Sequence, residues 1–186
     1  MKQSKLNLLR VKIVNIRSAL RKRYFLLLGL QLGESVQLGQ ITCLWPSNVS
    51  IGKGTIVQDG VDFTFGTPFT KGVGIEIGER VFIGRCCEFN CNKSIIVGND
   101  TMIASNTTIV DVGHEFTDTM PINLQKVIDA DIIIGADVWI GTGCKILMGV
   151  TIGNGSIIGA GSLVNKSIPE NQVWAGSPAK FIKNRF

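Results

Sequence analysis

The chain holds a single histidine, His114, which closes the run Ile109-Val-Asp-Val-Gly-His114 and stands directly before a long break in an otherwise regular pattern. A neutral imidazole can accept and return a proton near physiological pH, so this position is a candidate general base. A lone histidine is more often structural than catalytic, and it is the place of His114 in the chain that strengthens its claim. Five cysteines, Cys43, Cys86, Cys87, Cys91 and Cys144, form neither a CxxC pair nor an even framework. With one histidine beside them no ordinary zinc set is available, so no metal site is expected, and a reducing cytoplasm is the simplest compartment.

What must position His114 is a repeat. Ile134, Ile140, Ile146, Ile152, Ile158 and Val164 follow one another at a spacing of six, a period that neither a helix nor simple strand alternation produces. Gly135, Gly141, Gly153 and Gly159 directly follow four of them, and Val138, Cys144, Val150, Ser156, Ser162 and Ile168 take the fifth place of each unit. Each hexapeptide therefore reads as a short strand plus a turn, with the aliphatic pointing inward and the fifth residue small because it shares a crowded interior. At the fifth place, Cys144 is a packing residue. If three units make one triangular coil, residues 18 apart stack, Ile134 over Ile152. The same unit recurs at Leu32, Leu38 and Ile51, at Ile77 and Ile83, and at Val97, Ile103 and Ile109, with slips around 59–76 and 90–96.

The divisions that follow are an arm over 1–31, a solenoid over 32–169, and a basic tail over 170–186. The largest interruption, 115–133, begins just after His114. An exposed loop of that length is costly to order, which favours a site-forming role over a tolerated insertion. In the arm, Leu6, Leu9, Ile13, Ile16 and Leu20 recur at helical spacing with Lys5, Arg10, Lys12 and Arg17 between them. Residues 1–31 carry eight Lys or Arg and no acid, whereas the body is mildly acidic. Two compatible readings stand: a cap over the first coil, and attraction to an anionic membrane surface. The apolar stretch from Tyr24 to Leu30 is far shorter than the roughly 20 residues of a spanning helix. No nucleic-acid motif accompanies the basic arm.

The run from Ile134-Gly-Ala-Asp-Val-Trp-Ile-Gly to Gly161-Ser-Leu-Val164, followed by Ala175-Gly-Ser-Pro-Ala-Lys180, closely resembles the hexapeptide-repeat acetyltransferase superfamily. The nearest branch is that of the maltose, galactoside and surface-polysaccharide O-acetyltransferases. The resemblance is strong over 75–186 and weak over 32–74. It implies an all-β solenoid, a left-handed parallel β-helix with an N-terminal amphipathic helix and a short C-terminal tail or helix. It also implies a homotrimer with active sites between subunits, and acetyl-CoA as co-substrate with no metal required. The implied acceptor is a sugar hydroxyl of a bacterial surface glycan, O-antigen or capsule, handled in the cytoplasm or at the inner face of the membrane.

By the same resemblance His114 is the catalytic base, and Asn106 and Asp111 match positions lining the acceptor pocket. Glu88 and Asn90 lie about one coil earlier, where acceptor hydroxyls could be held. Gly141, Thr142, Gly143, Ala160, Gly161 and Ser162 fall at stacked corners whose small side chains admit the pantetheine arm. Trp139 either walls that channel or packs at an interface. Lys166 and Lys180, with Lys183 and Arg185 behind them, either meet the nucleotide phosphates or are solvated. A γ-type carbonic anhydrase, which needs three histidines, is excluded by ligand count. A streptogramin-type acetyltransferase shares fold, donor and base, and a non-catalytic sugar-binding scaffold would be expected to lack the base.

Overall fold

The computed structural model describes residues 5–66 and 72–186, so the slip expected over 59–76 lies partly outside the described residues. Short parallel strands stack into three walls of a β-helix. The first wall is built from Gln31–Leu32, Val49–Ile51, Ile75–Ile77, Ile95–Val97, Ile132–Ile134 and Thr151–Ile152. The second begins Gln37–Leu38, Ile56–Val57, Phe82–Ile83, Met102–Ile103, Trp139–Ile140 and Ile157–Ile158. The third runs Thr42–Cys43, Asp62–Phe65, Glu88–Cys91, Thr108–Val110, Lys145–Leu147 and Leu163–Val164. The expected register holds: Ile134 pairs with Ile152, Ile140 with Ile158 and Ile146 with Val164.

The period-six aliphatics fill the interior, joined by Phe63 and Phe89, whose rings stack at 5.0 Å. Small polar residues occupy inner corners at no cost in unpaired groups. Thr55, Thr101, Thr107, Ser156 and Ser162 are buried, and their hydroxyls donate to the carbonyls of Gly78, Gly135, Gly141, Pro169 and Gly159. Cys144 is buried too and points its thiol at the Gly159 carbonyl. Burial raises the Cys144 and Cys87 thiols above their usual range, and takes Cys43 to about 12, so these are packing groups rather than thiolates.

The corners differ in kind. First-to-second connections, 33–36, 52–55, 78–81, 98–101, 135–138 and 153–156, are uniform. The second-to-third connections 58–61, 84–87, 104–107, 141–144 and 159–162 match them in length. Both sets turn through a left-handed residue: Gly54, Gly60, Gly143, Gly155 and Gly161 at five corners, and Ser35, Arg80, Cys86, Asp100, Asn106 or Asp137 at the others. Third-to-first connections vary instead, from 92–94 to 111–131, and the slip expected near 90–96 falls there.

The ends are closed differently from expectation. A helix, α1 (Lys5–Leu27), does cover the first coil, through Phe25, which is buried, and through Ser18 and Arg21, which donate to the Leu38 carbonyl at 3.0 and 3.2 Å. Its apolar stripe, however, points away from the solenoid. At the other end, the segment expected as a tail or helix is a hairpin of Gln172–Gly176 and Ala179–Asn184. It prolongs the second wall because Val173 and Trp174 pair with Ile157 and Ile158. Among the described residues no helix is long and apolar enough to cross a membrane.

Candidate active site

His114 ends a strand, Val112–His114, that leaves the third wall and pairs antiparallel with Val127–Asp129, His114 opposite Val127. The excursion is thus 111–131, its two flanks zipped and only its tip a loop. Gln125 organises that tip: its side chain is buried, donates to the carbonyls of Asp118 and Met120, and accepts from the Asp118 amide. The Asn92 side chain donates to Asp129 and fastens the hairpin to the preceding coil. His114 itself is exposed, so its imidazole is open to a reactant. Glu115 follows with its amide on the Lys126 carbonyl at 2.9 Å, and no side-chain bond from it to the imidazole is present among the described residues.

Asp111 does not line an acceptor pocket. It is fully buried, and its carboxylate accepts the backbone N–H groups of Asn92, Lys93 and Ser94 at 2.6, 2.9 and 2.8 Å. It closes the tight 92–94 turn of the coil below, and its own carbonyl receives the Ala130 amide at the hairpin's base. The Cys91 thiol, which this carboxylate and burial push well above its usual range, lies 3.3 Å away. Asp111 therefore sets the platform from which the His114 strand departs.

Asn106 is exposed, but its left-handed φ of 62° places it in the corner column with Cys86, Gly143 and Gly161, on the far side of the third wall from His114. Glu88 and Asn90 stand on that wall's outer face. Glu88 shares a row with Thr108 and Lys145, whose ammonium donates to the Thr108 hydroxyl at 3.0 Å. Asn90 pairs with Val110, the last wall residue before the hairpin, and so stands at the end of the wall from which the His114 strand leaves.

Two clefts lie along this part of the solenoid, one at the corner between second and third walls and one between the end of the third wall and the C-terminal hairpin. The first, about 430 Å³, is lined by Trp139, Gly141, Thr142 and Ala160 together with Ala104 and Ile157–Gly159. Trp139 is 50% exposed on the wall's outer face. Gly141 is required because a Cβ there would lie 2.6 Å from the Ala160 nitrogen. Gly143 and Gly161 have open space before them and turn through φ of 71° and 69°. Ser162 is a correction: it is buried, donates to the Gly159 carbonyl and accepts the Gly176 amide, so it faces the interior.

The second cleft, about 480 Å³, brings Lys166 and Lys180 together with Asn165, Trp174, Pro178, Ala179 and Phe181. Trp174 and Phe181 meet edge to face at 6.4 Å. Sequence reasoning missed these aromatics, because only a hairpin folded back onto the wall brings residues 165–166 and 174–181 together. Arg185 is not free for a phosphate: its guanidinium bonds Asp137 at 2.6 Å and the Gly155 carbonyl at 2.9 Å.

One chain does not bring His114 and the first cleft together, whereas Asn165 and Lys166 of the second cleft follow Val164 one coil beyond Leu147 and Met148. The base of the His114 hairpin sits over Met148, since a Cβ on Gly113 would lie 3.6 Å from the Met148 sulfur. From Thr142 at the cleft to Met148 the extended third wall intervenes, up to about 20 Å of chain. An apolar row also faces outward from the second wall, Ile56, Phe82, Met102, Trp139, Ile157 and Val173 in register. The tip of the excursion adds exposed Phe116, Ile122 and Leu124.

Residues 131–166 match the family described as bacterial transferase hexapeptide (six repeats). Among solved structures, a mutant of AntD, an N-acyltransferase from Bacillus cereus in complex with dTDP-4-amino-4,6-dideoxyglucose and coenzyme A, is similar at 22% identity and a TM-score of 0.77, over 89% of each chain. AntD in complex with dTDP and 3-hydroxybutyryl-CoA gives 22% and 0.75, over 89% of this chain and 88% of that one. A hexapeptide-repeat containing acetyltransferase from Vibrio cholerae O1 biovar eltor, complexed with acetyl-CoA, gives 25% and 0.61, over 90% of this chain and 78% of that one.

Proposed function

We propose that this protein transfers an acetyl group from acetyl-CoA to a sugar hydroxyl, in a unit of a bacterial surface polysaccharide, at sites shared between the copies of a homotrimer. The observation that carries the reading is the separation just described: an exposed imidazole at one corner of the solenoid and an apolar, glycine-floored cleft at another. A cyclic neighbour can set its cleft against this chain's His114, and an interface there would cover the outward apolar row, which is unfavourable in water.

The clefts fit the donor. Small residues at Gly141, Gly143, Ala160 and Gly161 let an extended thiol-bearing arm lie close to the backbone, Trp139 walls it, and Lys166 and Lys180 supply cations for phosphates. When bound, acetyl-CoA supplies a thioester carbonyl as electrophile. His114 then removes the hydroxyl proton as the oxygen bonds to the acyl carbon, and returns it to the sulfur as the C–S bond breaks. An alcohol needs that base more than a neutral amine does, which favours O-acetylation over N-acylation. Asn90, beside the hairpin's root, is placed to hold the acceptor.

The test is release of free thiol from acetyl-CoA with a panel of sugars, nucleotide-linked amino sugars and streptogramins. Turnover on hydroxyl sugars, abolished by His114→Ala, is expected. Turnover only on an amino sugar or an antibiotic would replace the acceptor assignment, and full activity of His114→Ala would remove the mechanism. Shared sites are tested by co-assembling His114→Ala with Ala160→Trp subunits, each inactive alone. About a quarter of sites should regain both intact halves in a mixed ring; no recovery would place the whole site within one chain.

A further inference from the structure

Among the described residues the apolar stripe of α1 finds no partner. Leu6, Leu9, Ile13, Ile16 and Leu20 lie on one side of the helix and are 43–79% exposed. The helix is held at its C-terminal half by its other side, through Ser18, Arg21 and Phe25. A cleft of about 580 Å³ separates that side from the second wall. The stripe therefore faces away from the solenoid, where a flat surface could reach it without collision.

The charges beside the stripe say what that surface is. By helical spacing, Arg10 and Arg17 border it along one edge, and Lys12 and Arg23 along the other. No carboxylate occurs in residues 1–31. The same spacing of three and four residues would also suit a seam between helices of different copies. That seam would set Arg10, Lys12 and Arg17 against their own counterparts with nothing acidic to offset them, and would draw Arg23 into its line. A surface with fixed negative charge and an apolar layer beneath it meets both features at once, the basic stems reaching outward beside the buried stripe.

We propose that α1 is an interfacial helix that lies in the headgroup layer of an anionic membrane and holds the solenoid at that surface. The stripe supplies the inserted face, and the basic borders supply the preference for negative lipid. The assignment is independent of what the solenoid acylates.

The experiment is co-sedimentation of the full-length protein with vesicles of phosphatidylcholine, alone or mixed with phosphatidylglycerol. Pelleting with the anionic vesicles only is expected, weakening as salt rises from about 0.1 M to about 0.5 M. Ile13→Asp with Ile16→Asp should reduce binding at least about tenfold, with helicity by circular dichroism checking that α1 persists. Arg10→Glu with Arg17→Glu keeps the stripe and should also release the protein from anionic vesicles. Pelleting that ignores both double variants would overturn the proposal. So would failure of the unmodified protein to bind while the Ile13/Ile16 variant loses assembled mass in solution, which would give the stripe to a second copy.

Discussion

The corners that join the first wall to the second, and from Ile56–Val57 onward the second to the third, keep one length from coil to coil, whereas those from third to first range from 92–94 to 111–131. At the uniform corners the backbone of one coil rests on the next so closely that a single carbon on Gly141 would strike the coil above. There the period is the structure, and a change is propagated along the stack. The variable corner is relieved of that duty, because a departing chain needs only to leave and re-enter in register, as 111–131 does between Val110 and Ile132. A side chain that stands clear of the wall, as His114 does, is therefore found where the stack is most forgiving, and flat surfaces are found where it is least so.

This contrast can be broken experimentally. His114→Ala should lower acetyl transfer by about a hundredfold or more yet leave the urea midpoint unchanged, because the side chain is exposed and no bond to it is lost. Asp111→Ala, three residues earlier, should do the reverse. It removes a buried carboxylate that accepts three backbone amides and should cost about 3 kcal/mol of stability in urea denaturation, with activity falling only as the hairpin's platform loosens. Within the uniform corners, Gly141→Ala should cost about 2 kcal/mol from the forced separation of coils. Gly161→Ala, with open space but a left-handed backbone, should cost about 1 kcal/mol. Equal costs at the two glycines would mean that close approach is not what the corner demands. The smallest global effect is expected from Gln125→Ala: a midpoint shift within error, but faster amide exchange confined to 115–126.

The solenoid was legible because its rule is local and repeated. Ile134, Ile140 and Ile146 announce the period, and the 18-residue stacking follows from three walls. His114 was legible for the opposite reason, as the exception lying where the period stops. What escaped were features set by which way a side chain points once the wall is built. Asp111 and Ser162 look like site residues by position, but their alternation turns them inward, where they satisfy backbone groups. The pairing of Lys166 with Trp174 and Phe181 depends on a chain reversal near Pro178 that no periodicity encodes. For α1 the spacing named a helix correctly, but not that Ser18, Arg21 and Phe25 would hold it by the side opposite the Leu6–Leu20 stripe.

The strand Ala179–Asn184 runs against the direction of every other strand in its wall. A stack of like-directed strands left bare at its last rung offers a template on which another molecule's first rung could settle, and rods of indefinite length would follow. A reversed strand bearing Lys180 and Lys183 presents that neighbour with the wrong polarity and with repelling charge. The turn that shapes the second cleft thus also fixes how long the particle can grow.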